Sequence, residues 1–97
     1  MITLYGIANC DTVKKARRWL DQHGLEYRFH DYKKLGIDSD TLHSWCKQFG
    51  YEQVLNRRGT TWRKLPDSDK QNLDQDRAIR IMLAHTSAIR RPILESG

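Results

Sequence analysis

The sequence contains no apolar segment long enough for a membrane-spanning helix. Its apolar runs are all far shorter than the roughly 18 residues that a membrane-spanning helix needs. The opening MITLYGIANC carries no basic leader, and its apolar stretch is too short and broken for a signal peptide. We therefore expect a cytoplasmic protein with no membrane partner.

Cysteine is also scarce, and this restricts the possible chemistry. The chain has 2 cysteines, Cys10 and Cys46, and 4 histidines that stand at no ligand spacing from a cysteine or from one another, so we expect no metal and no bound cofactor. Val13 occupies the position where a Cys-x-x-Cys dithiol has its second cysteine. Chemistry at Cys10 must therefore be monothiol chemistry, in which an outside thiol resolves the adduct.

Positive charge exceeds negative charge. The 97 residues include 17 Lys and Arg against 12 Asp and Glu, giving a formal net charge of +5. The excess favours small oxyanions, glutathione or an acidic protein surface as partners. Because the basic residues occur as scattered pairs, as expected of solvated helix faces, nucleic acid is a disfavoured partner.

Apolar patterning predicts one α/β domain over residues 1–97. A strand at 2–7, a helix capped by Asp11 or Thr12 and ended by Gly24, and a strand at 25–32 form a βαβ unit with parallel strands. A helix at 38–50 follows, with Leu42, Trp45, Cys46 and Phe49 on its buried face. Next come a basic loop at 56–65, a short helix after Pro66, a helix at 74–85 with Ala78, Ile79, Met82 and Leu83 inward, and a strand entered through Pro92.

Cys10 is the first candidate site residue. It follows a buried strand at the sheet edge where α/β folds place their sites, and the free N–H groups of the next helix, from Thr12 and Val13, face it. These groups, the helix dipole and Lys14 favour the thiolate, although a small residue that merely closes a turn is the structural alternative. Cys46, on an apolar helix face, is expected to be core.

The Arg91-Pro92 step is the second candidate. A plain strand-entry proline explains it, whereas a cis peptide would present Arg91 beside Cys10.

Three segments together, LYGIANCDTVKKARRWL, NRRGTTWRKL and IRRPILE, resemble the arsenate reductase-related (ArsC) family. They look closest to its YffB-type branch, which is related to the Spx regulators. The resemblance implies a thioredoxin-like fold with an all-helical insertion between the βαβ unit and the C-terminal strand. It also implies that a C-terminal hairpin strand and helix are missing.

The resemblance assigns roles to individual residues. Cys10 matches the nucleophile, Arg91 matches the arginine before the cis-proline, and the basic loop matches the region that supplies another arginine, for which we prefer Arg58, with Arg57 close enough to exchange with it. Thr12, in the first helical turn after Cys10, and Lys14 are further anion-binding candidates. Pro92 matches the cis-proline. Lys14 stands where the reductases carry arginine, and Val13 stands where Spx regulators typically carry a second cysteine.

Three functions are consistent with these residues. The first is a glutathione-dependent monothiol oxidoreductase of arsenate reductase-like type, with glutathione as co-substrate, glutaredoxin as a possible partner, and a disulfide or oxyanion as substrate. The second is an Spx-like regulator that binds RNA polymerase without catalysis. The third is a redox-inert scaffold.

Overall fold

The computed structural model describes residues 1–96, which form two compact units. The sheet unit comprises Met1–Leu35 and the segment from Arg91 onward, and the helical unit comprises Gly36–Arg90. The helical unit is thus inserted between two parts of the sheet unit, in the predicted element order. None of the helices in residues 1–96 is both long and apolar enough to span a bilayer.

The sheet unit contains three strands: β1 (Ile2–Gly6), β2 (Tyr27–Asp31) and β3 (Ile93–Ser96), in the order β2-β1-β3. As predicted, β1 and β2 are parallel, with Ile2 opposite Tyr27. Strand β3 runs antiparallel on the other side of β1, with Ile93 opposite Tyr5. The middle strand β1 is therefore the element from which the chain leads directly to Cys10.

Helix α1 (Asp11–Gln22) connects the two parallel strands and covers the sheet. Its residues Val13 and Leu20 are buried against Leu4 of β1. Gly24 follows the helix with φ of +64°, a conformation that glycine adopts without strain. A four-residue helix, α2 (Tyr32–Leu35), extends directly from β2 and was not predicted.

The helical unit contains five helices and one 3₁₀ turn within the described residues. These are α3 (Ser39–Phe49), α4 (Tyr51–Val54), α5 (Thr60–Lys64), α6 (Asp67–Lys70), α7 (Gln75–Ala84) and the turn Thr86–Ala88. The predicted basic loop at 56–65 is wrong in part, because five of its residues form α5. The short helix after Pro66 is confirmed as α6.

Asp38 and Gly50 bound α3, and Leu42, Trp45 and Cys46 form its buried face. Two residues predicted to point inward are exposed instead. Phe49 on α3 is 50% exposed and Leu83 on α7 is 40% exposed. On α7, Ile81 is buried instead of Leu83. The buried face of α3 is therefore narrower than predicted, and that of α7 includes Ile81 instead of Leu83.

Candidate active site at Cys10

Cys10 is the N-cap residue of α1. Its backbone is extended, with φ of −135° and ψ of 124°, and its carbonyl oxygen accepts the first helical hydrogen bond from Lys14 N–H at 2.9 Å. The predicted caps, Asp11 and Thr12, are wrong, because both residues already lie within the first helical turn. The thiol therefore stands at the positive end of the helix, next to the N–H groups of the first turn.

The surroundings of the thiol stabilise its ionised form. Partial burial against Leu4 and Val13 opposes ionisation and alone would raise the pKa. The Val13 N–H, the Arg91 side chain and the Thr12 N–H act in the opposite direction, and together they hold the Cys10 pKa below its ordinary value. Because the thiolate is the nucleophilic form of cysteine, a lowered pKa favours a larger thiolate fraction at Cys10 at neutral pH.

Arg91 reaches Cys10 from the far end of the chain. The Arg91–Pro92 peptide bond is cis, so the predicted alternative of a cis-proline is confirmed. Arg91 is half-buried, with its Nε atom fully enclosed, and it acts on the Cys10 sulfur both as a hydrogen-bond donor and as a charge. The sheet unit thus brings together two candidates that lie at opposite ends of the sequence.

Tyr32 belongs to the same neighbourhood and was missed by the sequence analysis. Its side chain is 1% exposed, and burial, reinforced by Tyr5, raises the pKa of its hydroxyl while the Arg91 charge opposes this rise. Its ring is 6.3 Å from that of Tyr5 and 6.2 Å from that of His30. A tyrosine directly after an apolar strand has no sequence pattern that distinguishes it from an ordinary core residue.

The remaining predicted anion-binding residues fall into both units. Thr12 and Lys14 are exposed in the first turns of α1, on the same element as Cys10. Arg58 lies in the helical unit, where its N–H donates to Asn56 Oδ1 at 3.1 Å and its carbonyl oxygen accepts from Arg63 Nη2 at 2.7 Å. Arg57 and Arg58 are both exposed, so the choice between them stays a prediction.

Cys46 contrasts with Cys10. It is 3% exposed on α3, and burial raises the pKa of its thiol. The prediction that it is a core residue is confirmed. Within residues 1–96, no three His, Cys, Asp or Glu side chains are grouped as metal ligands would be. Of the two cysteines, Cys10 is therefore the candidate nucleophile.

Comparison with protein families matches residues 5–97 to the ArsC family. A solved structure of a protein named YFFB superposes with a TM-score of 0.98 at 55% identity, covering 100% of this chain and 85% of that one. An arsenate reductase (ArsC) related protein from Brucella melitensis has a TM-score of 0.80 at 54% identity, covering 98% and 79%. The predicted thioredoxin-like fold is confirmed, whereas the missing C-terminal strand and helix stay a prediction.

A second group of relatives has a regulatory name. The global transcriptional regulator Spx of Streptococcus pyogenes is 29% identical over 96 residues, which covers 97% of this chain and 71% of that protein. In this chain Val13 stands three residues after Cys10, so no second cysteine is available there for a Cys-x-x-Cys dithiol.

Proposed function

Because the chain belongs to the ArsC family, we propose that it is a glutathione-dependent monothiol oxidoreductase of arsenate reductase-like type, in which Cys10 is the nucleophile. The observation that carries this proposal is the lowered pKa of the Cys10 thiol beside Arg91 at the start of α1. A thiol that only closed a turn would need neither a guanidinium nor two N–H groups directed at it. The similarity to an arsenate reductase related protein supports the same class of chemistry.

With a disulfide substrate, the reaction needs one enzyme thiol and two molecules of glutathione. The Cys10 thiolate attacks a substrate sulfur, forms a mixed disulfide and displaces the other sulfur as a thiolate that takes up a proton. A glutathione thiolate then attacks the Cys10 sulfur of the mixed disulfide, displaces the second substrate thiolate, which is protonated, and leaves Cys10 joined to glutathione. A second glutathione thiolate attacks the glutathione sulfur of this adduct, which gives glutathione disulfide and releases the Cys10 thiolate. The substrate gains two electrons, and two glutathiones become one glutathione disulfide. Cys46 has no part in this sequence because it is buried.

The cations have separate roles in this proposal. Arg91 stabilises the Cys10 thiolate, both as the attacking group and as the leaving group of the last step. Lys14 and the Thr12 N–H hold anionic oxygens of the substrate or of glutathione at the helix N-terminus. Lys14 supplies a point charge instead of a bidentate fork, which weakens the case for arsenate relative to a disulfide. Arg58, or its neighbour Arg57, is the further anion ligand that the family resemblance implies.

The first experiment identifies the reactive thiol. The protein is treated with glutathione disulfide and analysed by mass spectrometry, beside Cys10→Ser and Cys46→Ser. We expect one glutathione adduct in the unchanged protein and in Cys46→Ser, and none in Cys10→Ser. An adduct confined to Cys46 would overturn the assignment, and the absence of any adduct would favour the inert scaffold.

The second experiment measures thiolate activation. The alkylation rate of Cys10 is measured against pH in Cys46→Ser, which serves as the parent protein. Arg91→Ala is introduced into this parent as the test, and Arg90→Ala is introduced as the control. Arg90 is exposed, and its backbone N–H donates to the Val54 carbonyl oxygen in the helical unit. Arg90→Ala therefore removes the same charge as Arg91→Ala from the neighbouring position in the sequence. We expect Arg91→Ala to raise the midpoint and Arg90→Ala to leave it unchanged. A midpoint near the ordinary value of about 8.5 in the parent protein would remove the case for activation.

A regulator that binds RNA polymerase is the second candidate, and the match to Spx over 97% of the chain favours it. On this alternative the Cys10 thiol is incidental. Capture of RNA polymerase by both the unchanged protein and Cys10→Ala, without turnover of glutathione disulfides, would establish it. Loss of capture on charge reversal at a surface arginine would locate the contact.

A further inference from the structure

Besides Arg91, the sheet unit carries a second group of cationic side chains, which lies where helix α1 meets strand β2. A groove of about 340 Å³ is lined by Lys14, Arg17, Arg18, Asp21 and Tyr27. Three cations face one carboxylate there, so the groove has an excess of two positive charges. Such a groove fits an anionic ligand, and it lies along α1, the helix whose N-cap is Cys10.

Arg17 is held in a fixed position within this groove. Its Nε donates a hydrogen bond to the Tyr27 hydroxyl at 3.0 Å, and its guanidinium carbon lies 4.5 Å from the centre of the Phe29 ring. Its hydrogen bonds to residues 1–96 involve Nε, which leaves the two Nη groups for a ligand. A guanidinium fixed in this way is pre-organised to bind a carboxylate through both Nη groups, unlike an ordinary surface arginine.

Helical spacing aligns the groove with the reactive sulfur. Positions 10, 14, 17, 18 and 21 recur every three or four residues and therefore share one face of α1. At a rise of about 1.5 Å per residue, Lys14 lies about 6 Å and Arg18 about 12 Å along the axis from Cys10. An extended polypeptide covers about 3.3 Å per residue. If such a polypeptide lies along α1 with its own cysteine at Cys10, Lys14 and Arg18 are level with its residues about two to four positions from that cysteine.

We propose that this groove binds acidic side chains flanking the reactive cysteine of a polypeptide disulfide substrate. The inference rests on the proposed function and specifies its substrate as a glutathionylated cysteine in an acidic segment. Asp21 closes the far end and disfavours acidic residues more than about four positions away. The Cys10 thiolate attacks the glutathione sulfur and releases the polypeptide thiolate, which is protonated. A glutathione thiolate then attacks the Cys10 adduct, giving glutathione disulfide and restoring Cys10.

The test compares two glutathionylated peptides that differ at positions two to four from the cysteine. One peptide carries Asp and Glu there, and the other carries Asn and Gln. Reduction is followed by the glutathione disulfide formed, with kcat and KM determined separately. We expect the acidic peptide to have at least a tenfold lower KM at low salt with a similar kcat, and this preference to decline as salt screens the charges.

Variants of the groove test its part in this preference. Arg17→Gln and Arg18→Gln should each raise the KM of the acidic peptide severalfold and leave the KM of the neutral peptide unchanged. Arg18 is exposed, so its variant remains informative if Arg17→Gln unfolds the protein. Arg28→Gln is the matched control, since alternation along β2 places Arg28 on the opposite face from Tyr27 and Phe29.

Binding without chemistry separates this inference from the proposed function. Cys10→Ser is titrated with fluorescent peptides in which serine replaces the cysteine. Tighter binding of the acidic peptide, reduced by Arg18→Gln but not by Arg28→Gln, supports the groove even if no peptide is turned over. Equal turnover of both peptides overturns the inference while the oxidoreductase function stands. A groove variant that changes only the KM of free glutathione, or only the binding of an oligonucleotide, also overturns it.

Discussion

Gly6 of β1 packs against the first turn of α1, and an added methyl group there has no room. A Cβ at position 6 would lie 2.6 Å from Val13 Cγ2, which is 0.8 Å short of the 3.4 Å at which ordinary contact begins. Val13 is 0% exposed, so it cannot move aside into solvent. Overpacking of this kind costs about 1–3 kcal/mol, and we expect Gly6→Ala to lower the free energy of unfolding by that amount.

A second substitution should relieve this clash. Val13→Ala alone removes two buried methyl groups and should cost about 2–3 kcal/mol, because each contributes about 0.8 kcal/mol of transfer free energy and a cavity remains. In the double variant, the methyl group introduced by Gly6→Ala occupies part of the space that the Val13 side chain leaves. We therefore expect the double variant to be more stable than the sum of the single effects predicts, by about 1 kcal/mol or more.

Urea denaturation of the four proteins in this cycle measures the coupling. Gly24→Ala provides the control, because nothing lies within 4 Å of a Cβ there and its cost comes from a φ of +64°. Combined with Val13→Ala, it should be additive. The same Gly6→Ala protein should show a raised Cys10 pKa, because the displaced turn carries the Val13 N–H that stabilises the thiolate. Additivity of Gly6→Ala and Val13→Ala within about 0.5 kcal/mol would refute the close approach of β1 and α1.

Three further substitutions test the surroundings of the site and the helical unit. Tyr32→Phe should leave the free energy of unfolding unchanged or raise it by up to about 1 kcal/mol in urea denaturation, because no atom in residues 1–96 hydrogen-bonds to this buried hydroxyl; a clear loss would contradict this. Cys46→Ser should cost about 1–3 kcal/mol by placing a hydroxyl in the apolar core, with no change in Cys10 alkylation. Asp38→Ala removes the α3 cap. Hydrogen bonds from the Asp40 N–H, the Thr41 hydroxyl and the Thr41 N–H lower the Asp38 pKa, so its contribution is present above the unfolded-state pKa and lost as pH falls through the folded-state pKa. The stability deficit of Asp38→Ala should therefore shrink in acid, and a constant deficit would contradict this cause.

The βαβ part of the fold could be predicted because its pattern is local. Val13 and Leu20 are spaced for one helix face, and Gly24 ends the helix with the φ that its position requires. The exposed sides of α3 and α7 could not be predicted in the same way. Phe49 and Leu83 satisfy helical periodicity, but periodicity gives the spacing of an apolar face and not its width. That width depends on which neighbours pack against it.

The residues of the candidate site also differ in whether local sequence or tertiary packing reveals them. Cys10 could be found from the sequence because the elements that activate it, the end of a strand and the start of a helix, are adjacent to it. Arg91 was identifiable through its proline and through family resemblance, although its effect on the thiol depends on the fold. Tyr32 had no such signal, since only tertiary packing brings its hydroxyl within range of the Arg91 charge.

Salt separates the two sets of cations on the sheet unit. Arg91 is half-buried with its Nε enclosed and acts directly on the Cys10 sulfur, so solvent ions screen it little. Lys14 and Arg18 are exposed and would act on substrate groups through water. The screening length falls from about 10 Å at 0.1 M salt to about 3 Å at 1 M. We expect added salt to raise the KM of acidic peptides while the alkylation midpoint of Cys10 stays nearly constant. A midpoint that moved together with KM would mean that the exposed cations, and not Arg91 and the helix N–H groups, maintain the thiolate.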